Sequence, residues 1–320
     1  MEALSAQMAA VAAGQHALIT LDQLADLKVT RHKRERLLAT GQIVRVANDV
    51  YRLNGAPSTW QSRIAAAQLA VGEDAIVSHR SAAALYGLDG FDQQRIVHLS
   101  LPIGRSPRKP KDVQLHRCAD YELIVAERRM NIPVTDPARL VLDLYASEAN
   151  LDVARRGLFS ARKKNLTTWR AIDECVRRHA RKGRRGIVSL RADFELYSRI
   201  GCPETSFEDA IARTLMDAGM AEPELQHWVL TPGGRYRIDV AYPAFRVGIE
   251  GKSRAHHLTD QAFEADPVRD ANLAIAGWII IHVTWAQLQH DPVGVVRRIC
   301  RALESRGFLT HPQVDPGSTL

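Results

Sequence analysis

Residues 235–252 read RYRIDVAYPAFRVGIEGK, and this stretch decides how the C-terminal half folds. It divides into two short runs of alternating residues. In the first, Tyr236, Ile238 and Val240 fall on one face of an extended strand, and Arg237 and Asp239 on the other. In the second, Phe245, Val247 and Ile249 face one way, and Glu250 and Lys252 the opposite way. An antiparallel hairpin closing around Pro243–Ala244 sets Asp239 directly across from Glu250. Opposed residues lie roughly 4.5–5.5 Å apart, so both carboxylates reach one cation. Mg²⁺ (or Mn²⁺) takes hard oxygen ligands and keeps several waters, so two carboxylates on a strand pair form a cradle for it. Lys252 shares the face of Glu250 and is expected to reach the same centre. There it helps orient or deprotonate an attacking water and stabilises charge on a phosphate.

The flanking residues predict an αβββαβ order. Ser206 is expected to cap a helix, SFEDAIARTLMDAG, with Phe207, Ile211, Leu215 and Met216 on its apolar side and Gly219 near its stop. A strand follows at Gln226–Leu230, and Pro232–Gly233–Gly234 turns the chain. After the hairpin come a helix over Asp260–Ala276, a buried strand over Trp278–Val283 and a last helix over Val293–Glu304. His256 and His257 follow the centre at once and are candidates for proton transfer. No H-x-x-x-H spacing supports zinc.

Asp-x10-Glu-x-Lys on two strands, after a helix bearing a carboxylate, resembles the PD-(D/E)XK nuclease superfamily. SFEDAIARTL, RIDVAYP, VGIEGKSRAHH and AFEADPVRDANLAIAGW resemble, more narrowly, its Vsr-like (very-short-patch-repair-like) endonuclease domain. The likeness covers residues 204–290. It implies a restriction-endonuclease-like fold, with Glu208 as the helix-borne acid, Asp239 the central metal ligand, Glu250 the second ligand and Lys252 the catalytic lysine. Many members carry an E-x-D-G-type run here. This chain has Glu250–Gly251–Lys252–Ser253, which recovers the wider superfamily's lysine.

The N-terminal residues read differently. Thr20 and Thr30 are placed to N-cap two short helices, the second carrying Arg31, Lys33, Arg34 and Arg36 outward and Leu37 inward. QIVRVANDVYRL then predicts a hairpin turning at Asn48–Asp49. Helix, turn, basic helix and hairpin is the outline of a winged helix-turn-helix, whose second helix enters the major groove. Helices at Gln61–Val71 and His79–Tyr86 and a strand, RIVHLSLP, come next. The loop GRSPRKPKDVQLHR (104–117) presents Arg105, Arg108, Lys109 and Lys111 to phosphates, its prolines opposing regular structure. Asp136–Pro137 opens an apolar helix. LITLDQL, IVRVANDVYRL, VSHRSAAALYGL and VTDPARLVLDL resemble the AbiEi-type antitoxin domain over residues 8–150. The likeness implies transcriptional regulation in a type IV toxin–antitoxin system beside a nucleotidyltransferase-type toxin. It also implies operator binding through the basic helix.

Charge divides the chain in the same sense. The net charge is +7, with about +10 over residues 1–195 and about −3 over residues 196–320. About thirteen Lys or Arg lie between Ala154 and Arg191, and ARKGRRG, with Arg184 and Arg185, is the strongest basic patch and candidate linker. The organisation expected is a winged helix-turn-helix (1–55), an α/β segment (56–150), a basic helical linker region (151–200) and a nuclease-like domain (201–310). Cys118, Cys175, Cys202 and Cys300 form no C-x-x-C pair or disulfide framework, which fits a reducing, cytoplasmic setting. The first residues lack the basic start of a signal peptide, and no apolar run is membrane-length.

Two functions follow from this reading. One is a Mg²⁺-dependent DNA endonuclease delivered by its basic N-terminal module. The other is a non-enzymatic DNA-binding regulator or type IV antitoxin with a degenerate nuclease domain. A homodimer on paired half-sites suits either one.

Overall fold

The computed structural model describes residues 2–92, 95–252 and 260–308, with side chains over 4–92, 95–252 and 267–308. The chain is a mixed α/β protein that splits into two compact units, Met1–Arg191 and Ala192–Leu320. Among the described residues no helix is long and apolar enough to cross a membrane.

Unit 1 begins with α1 (Glu2–Ala13), β1 (Leu18–Thr20), α2 (Leu21–Asp26), α3 (Arg31–Ala39), β2 (Ile43–Ala47) and β3 (Val50–Leu53). Thr20 caps α2 through Gln23 N, with Gln23 returning the bond, and Thr30 caps α3 through Lys33 N. Each cap contributes about 0.5–2 kcal/mol. The turn residue Asp49 takes a left-handed φ of 54°, and the strands pair in the order β1-β3-β2. Met8, Ile19, Leu24, Leu37, Ile43 and Tyr51 fill the core beneath.

The rest of unit 1 comprises α4 (Trp60–Val71), β4 (Ile76–Val77), α5 (His79–Leu85), β5 (Val97–Pro102), β6 (Val113–Cys118), β7 (Ala126–Arg129) and β8 (Ile132–Thr135). Helices α6 (Pro137–Ser147), α7 (Leu151–Lys163) and α8 (Trp169–His179) follow, then α9 (Ile187–Ile200), within which the units divide. The strand order is β6-β5-β4-β8-β7. The proline-bearing segment 104–117 is only partly irregular. Beyond Pro110 it becomes β6, which pairs with β5 in parallel from Val97↔Val113 to Pro102↔Cys118. Residues 151–200 are helical as expected but do not form a linker. Leu158, Phe159, Ile172 and Val176 are buried, and α7 and α8 pack on α6.

A buried ionic cluster ties α6 and α8 to the loop after β6. Arg139, fully buried, donates from Nε to Asp143 Oδ1 at 2.8 Å and from Nη1 to Asp120 Oδ2 at 3.2 Å. Arg184 Nη2 donates to Asp143 Oδ1 at 3.2 Å, and His179 Nδ1 lies 2.9 Å from Asp120 Oδ2. Two guanidiniums thus balance two carboxylates away from water. Burial alone would raise the Asp120 carboxyl, but His179, Arg139 and Arg184 hold it well below the usual range. Nearby, His79 and His116 stack at 3.5 Å between ring centroids, and His98 Nδ1 lies 2.9 Å from His116 Nε2. Burial holds His79 and His116 neutral, their pKa values lowered to about 3.

Unit 2 continues with α10 (Ser206–Asp217), β9 (Glu224–Thr231), β10 (Gly234–Tyr242), β11 (Val247–Lys252), α11 (Asp260–Ile275), β12 (Ile279–Thr284), α12 (Trp285–His290) and α13 (Pro292–Glu304). This is the αβββαβ order with two helices appended. The sheet order is β12-β11-β10-β9, with β11 antiparallel to β10 and parallel to β12. The cap of α10 is Thr205 rather than Ser206: its hydroxyl accepts from Glu208 N, and Ser206 is already helical.

Removing one member of a buried ion cluster strands its partners, at a cost of about 3–5 kcal/mol. Arg139→Ala is therefore expected to destabilise the chain by that amount in urea unfolding. A loss under about 1 kcal/mol would show that the cluster is not holding unit 1 together.

Candidate metal and phosphate centre

The β10–β11 ladder runs Tyr242↔Val247, Ala241↔Gly248, Val240↔Ile249. The paired ladder ends there, with Asp239 and Glu250 the next residue on each strand and joined by a side-chain hydrogen bond. The faces are less simple. Ile238 and Ala241 pack in the same core cluster although strict alternation would separate them. The β9–β10 pairing passes from Ile238↔His227 to Val240↔Leu225 without Asp239, and Gln226 takes a left-handed φ of 57°. The local irregularity turns Asp239 toward both neighbouring acids. A single-face reading of the strand does not describe this.

Glu250, 9% exposed, shares a hydrogen bond with Asp239. Its carboxyl is raised to about 7, first by burial and then by the Asp239 charge, against the lowering effect of Arg269. Glu208 is likewise raised to about 7, by burial and then by Asp239. Burial first, and the Asp239 charge second, thus raise two carboxyls toward neutrality. Asp239 Oδ2 also accepts from Gly251 N at 3.1 Å. A Cβ on Gly251 would stand 2.8 Å from the Phe207 ring, so only glycine lets α10 approach β11 this closely.

The carboxylates differ in what else holds them. Glu208 accepts from Glu204 N at 2.7 Å, Thr205 Oγ1 at 2.9 Å and Gln226 Nε2 at 2.6 Å. Glu250 Oε1 accepts from Arg269 Nη2, which also donates to Arg237 O at 2.7 Å. Asp270 receives His282 Nε2 at 2.9 Å, and His282 sits beside Glu250 in the β11–β12 register. Arg269 thus reaches the site directly.

Among the described residues no three His, Cys, Asp or Glu side chains are arranged to hold a metal ion. Asp239 and Glu250 nevertheless fit Mg²⁺, which uses one or two carboxylates and completes its shell with water and phosphate. A cation between them would neutralise the Asp239 charge that helps raise the Glu250 carboxyl. Gln226 Oε1 and His282 Nδ1, beside Glu208 and Glu250, are buried polar atoms with no hydrogen-bond partner among the described residues, which suits a hydrated site. Lys252 ends β11 two residues beyond Glu250. His256 and His257 lie outside the described residues.

Sequence reasoning missed an arginine–tryptophan stack on β9 and β10. The Trp228 ring lies 4.1 Å from the Arg235 guanidinium and 5.7 Å from that of Arg237, with Arg237 paired to Glu204. Trp228 is opposite Arg237 in register. Two cations two residues apart, facing an aromatic across a strand pair, are the sequence signal.

In unit 1 the basic residues sort into groups. Arg31, Lys33 and Arg36 are exposed on α3 and Arg34 half-exposed, with Arg31 paired to Glu35. Arg105 is exposed and pairs with Asp74 at 3.0 Å. Arg108 and Lys109 line a cleft with residues of the β2–β3 hairpin. Arg185 is exposed, but Arg184 departs from its expected role. It is 14% exposed and turned toward Asp120 and Asp143.

A comparison with protein-family models finds no match. Uncharacterized proteins MT2308 and Rv2248, from two strains of Mycobacterium tuberculosis, are each 28% identical over 280 residues, spanning 86% of this chain and 98% of theirs. The crystal structure of the RV2827C protein from Mycobacterium tuberculosis gives a TM-score of 0.40 at 14% identity, covering 60% of this chain and 76% of that one.

Glu208 and Glu250 hold protons in the folded chain that they release on unfolding between about pH 4.5 and 7. Their contribution to stability is full below about 4.5 and lost as pH rises through about 7. His79 and His116 act oppositely. They are neutral when folded and take protons on unfolding, so stability falls as pH drops from 6.5 toward about 3. Calorimetry of the full chain from pH 5 to 8, with chelator present, is expected to show unit 1 melting later and unit 2 earlier as pH rises. The doubly substituted Glu208→Gln, Glu250→Gln chain should lose the unit 2 trend alone. Parallel movement of both transitions contradicts the assignment.

Proposed function

We propose that the chain is a divalent-metal-dependent DNA endonuclease. In this reading unit 2 is a PD-(D/E)XK domain of the Vsr-like kind, and the first residues of unit 1 form an AbiEi-type winged-helix DNA-binding module. The observation that carries it is the buried Glu250 carboxyl, raised to about 7 first by burial and then by the neighbouring Asp239 charge, with Lys252 two residues further along the same strand. Perturbed carboxyls converging in a built site are a functional signature.

Asp239 and Glu250 would hold Mg²⁺ or Mn²⁺, which when bound supplies an activated water and charge neutralisation for a phosphodiester. The protein contributes the rest. Gly251 N fixes the Asp239 carboxylate, so its orientation is set before substrate arrives. Arg269 holds Glu250 and bridges it to the β10 backbone. Lys252 directs its ammonium to the phosphate and assists proton removal from the attacking water. The acidic balance of residues 196–320 disfavours DNA, so the grip on substrate comes from the basic residues of unit 1. Arg31, Lys33, Arg34 and Arg36 on α3 are placed for it.

One observation favours the second reading, a DNA-binding regulator or type IV antitoxin with an inactive centre. Arg269 already compensates Glu250, and Glu208 is saturated by three protein donors.

Supercoiled plasmid incubated with Mg²⁺ or Mn²⁺ separates the two. The endonuclease reading expects nicking that Asp239→Ala or Lys252→Ala lowers at least about 10²-fold. The regulator reading expects no cleavage of duplex, nicked, mismatched or single-stranded DNA. Under it, salt-sensitive binding to one sequence is indifferent to Asp239→Ala.

A further inference from the structure

Unit 1 contains a cleft of about 800 Å³ between the β2–β3 hairpin, α4 and the segment leading into β6. Its walls are cationic on opposite sides. Arg45 and Arg52 come from the hairpin, and Arg108, Lys109 and Lys111 from the segment before β6. Arg63 projects from the first turns of α4, and Arg95 precedes β5. Against these seven cationic side chains stands one lining carboxylate, Asp112, which pairs with Arg95 at 3.4 Å.

Gathering so much like charge around one concavity is unfavourable without a counter-charge. The cost falls when an anion enters. The remaining lining identifies the anion. Among the described residues no aromatic side chain lines the cleft to stack on a base. The hydroxyls of Thr59 and Ser62 are spent on the capping box of α4. Ser58 and Asn48 are the other polar lining side chains, and the seven cations outweigh them, so the lining suits phosphate, held by guanidinium forks and ammonium groups.

We infer that this cleft binds a run of closely spaced phosphates without reading bases. The occupant is a segment of nucleic-acid backbone, or a free polyphosphate of the same chemistry. It extends the DNA-binding part of the proposed function to a surface separate from α3 and does not depend on hydrolysis in unit 2. Arg45 and Arg52 belong to the hairpin that follows α3, so a strand contacted by that helix has a continuous cationic path into the cleft.

The test uses the full chain and two probes: a random-sequence fluorescent duplex followed by anisotropy across salt, and inorganic tripolyphosphate followed by calorimetry. Arg45→Gln, Arg63→Gln, Lys109→Gln is the charge-removing variant. The same sites as Arg45→Lys, Arg63→Lys with Lys109 retained conserve charge and control for folding. Removing three phosphate contacts should weaken duplex binding at least tenfold and flatten the slope of log K against log salt by about 2.7. The lysine variant should stay within a few-fold of wild type. Tripolyphosphate that binds the wild type and competes with the duplex identifies the cleft as a general polyphosphate site. Loss confined to the duplex identifies nucleic-acid backbone as the occupant. Duplex and tripolyphosphate binding both unchanged in the charge-removing variant overturns the inference. If Arg31→Ala, Arg34→Ala abolishes duplex binding while the charge-removing variant binds duplex and tripolyphosphate as the wild type does, the α3 reading survives and the cleft reading fails.

Discussion

The burial of Glu250 and Glu208 beside the half-buried Asp239 is the constraint around which unit 2 is arranged. Water would screen such charges, but β11 lies between β10 and β12 with α10 packed on it, so screening is weak. The folded chain meets this in three ways. The Glu250 carboxyl is raised to about 7, Arg269 is drawn against it, and donors from Glu204, Thr205 and Gln226 converge on Glu208. Each response compensates charge that the fold itself has concentrated. A divalent cation would make the first of them unnecessary.

Unit 1 solves the reverse problem with different chemistry. Arg139 and Arg184 meet Asp120 and Asp143 in near balance, so the cluster has no need of an outside ion. Its cost is desolvation, and its return is a fixed arrangement of α6, α8 and the loop after β6. The surface of the same unit is unbalanced. Seven of its basic residues line the cleft and others stand on α3, where a polyanion is the natural complement. The two units therefore have opposite electrostatic needs: a cation in one and an anion on the other.

Much of this was legible in the residues. The αβββαβ order, the hairpin at Pro243 and the opposition of Asp239 to Glu250 follow from period-two alternation and turn residues, which are local signals. The caps at Thr20, Thr30 and Asp136 follow for the same reason. What failed was non-local. Arg139 and Arg184 look like surface charges in a basic sequence, and only the packing of α6 and α8 turns them inward. The helices of residues 151–200 resemble a linker because Arg170, Arg177 and Arg178 dominate the composition, although Ile172, Cys175 and Val176 make one face of α8 apolar. β6 was obscured by the prolines before it, although it starts only after the last of them. The pairing gap at Asp239 lies opposite the left-handed Gln226 on the neighbouring strand, which no alternation pattern encodes. Arg269 reaches Glu250 across 19 residues of chain, beyond any local signal.

The central claim is that Asp239 and Glu250 hold a proton in place of a cation. Calorimetric titration of Mn²⁺ into the full chain at pH 6.5, in two buffers of different ionisation enthalpy, measures it directly. Binding is expected to release about one proton per metal, since Glu250 must ionise to ligate, and to release none in Glu250→Gln. Binding with no buffer dependence, or no binding by the wild type, would contradict the account.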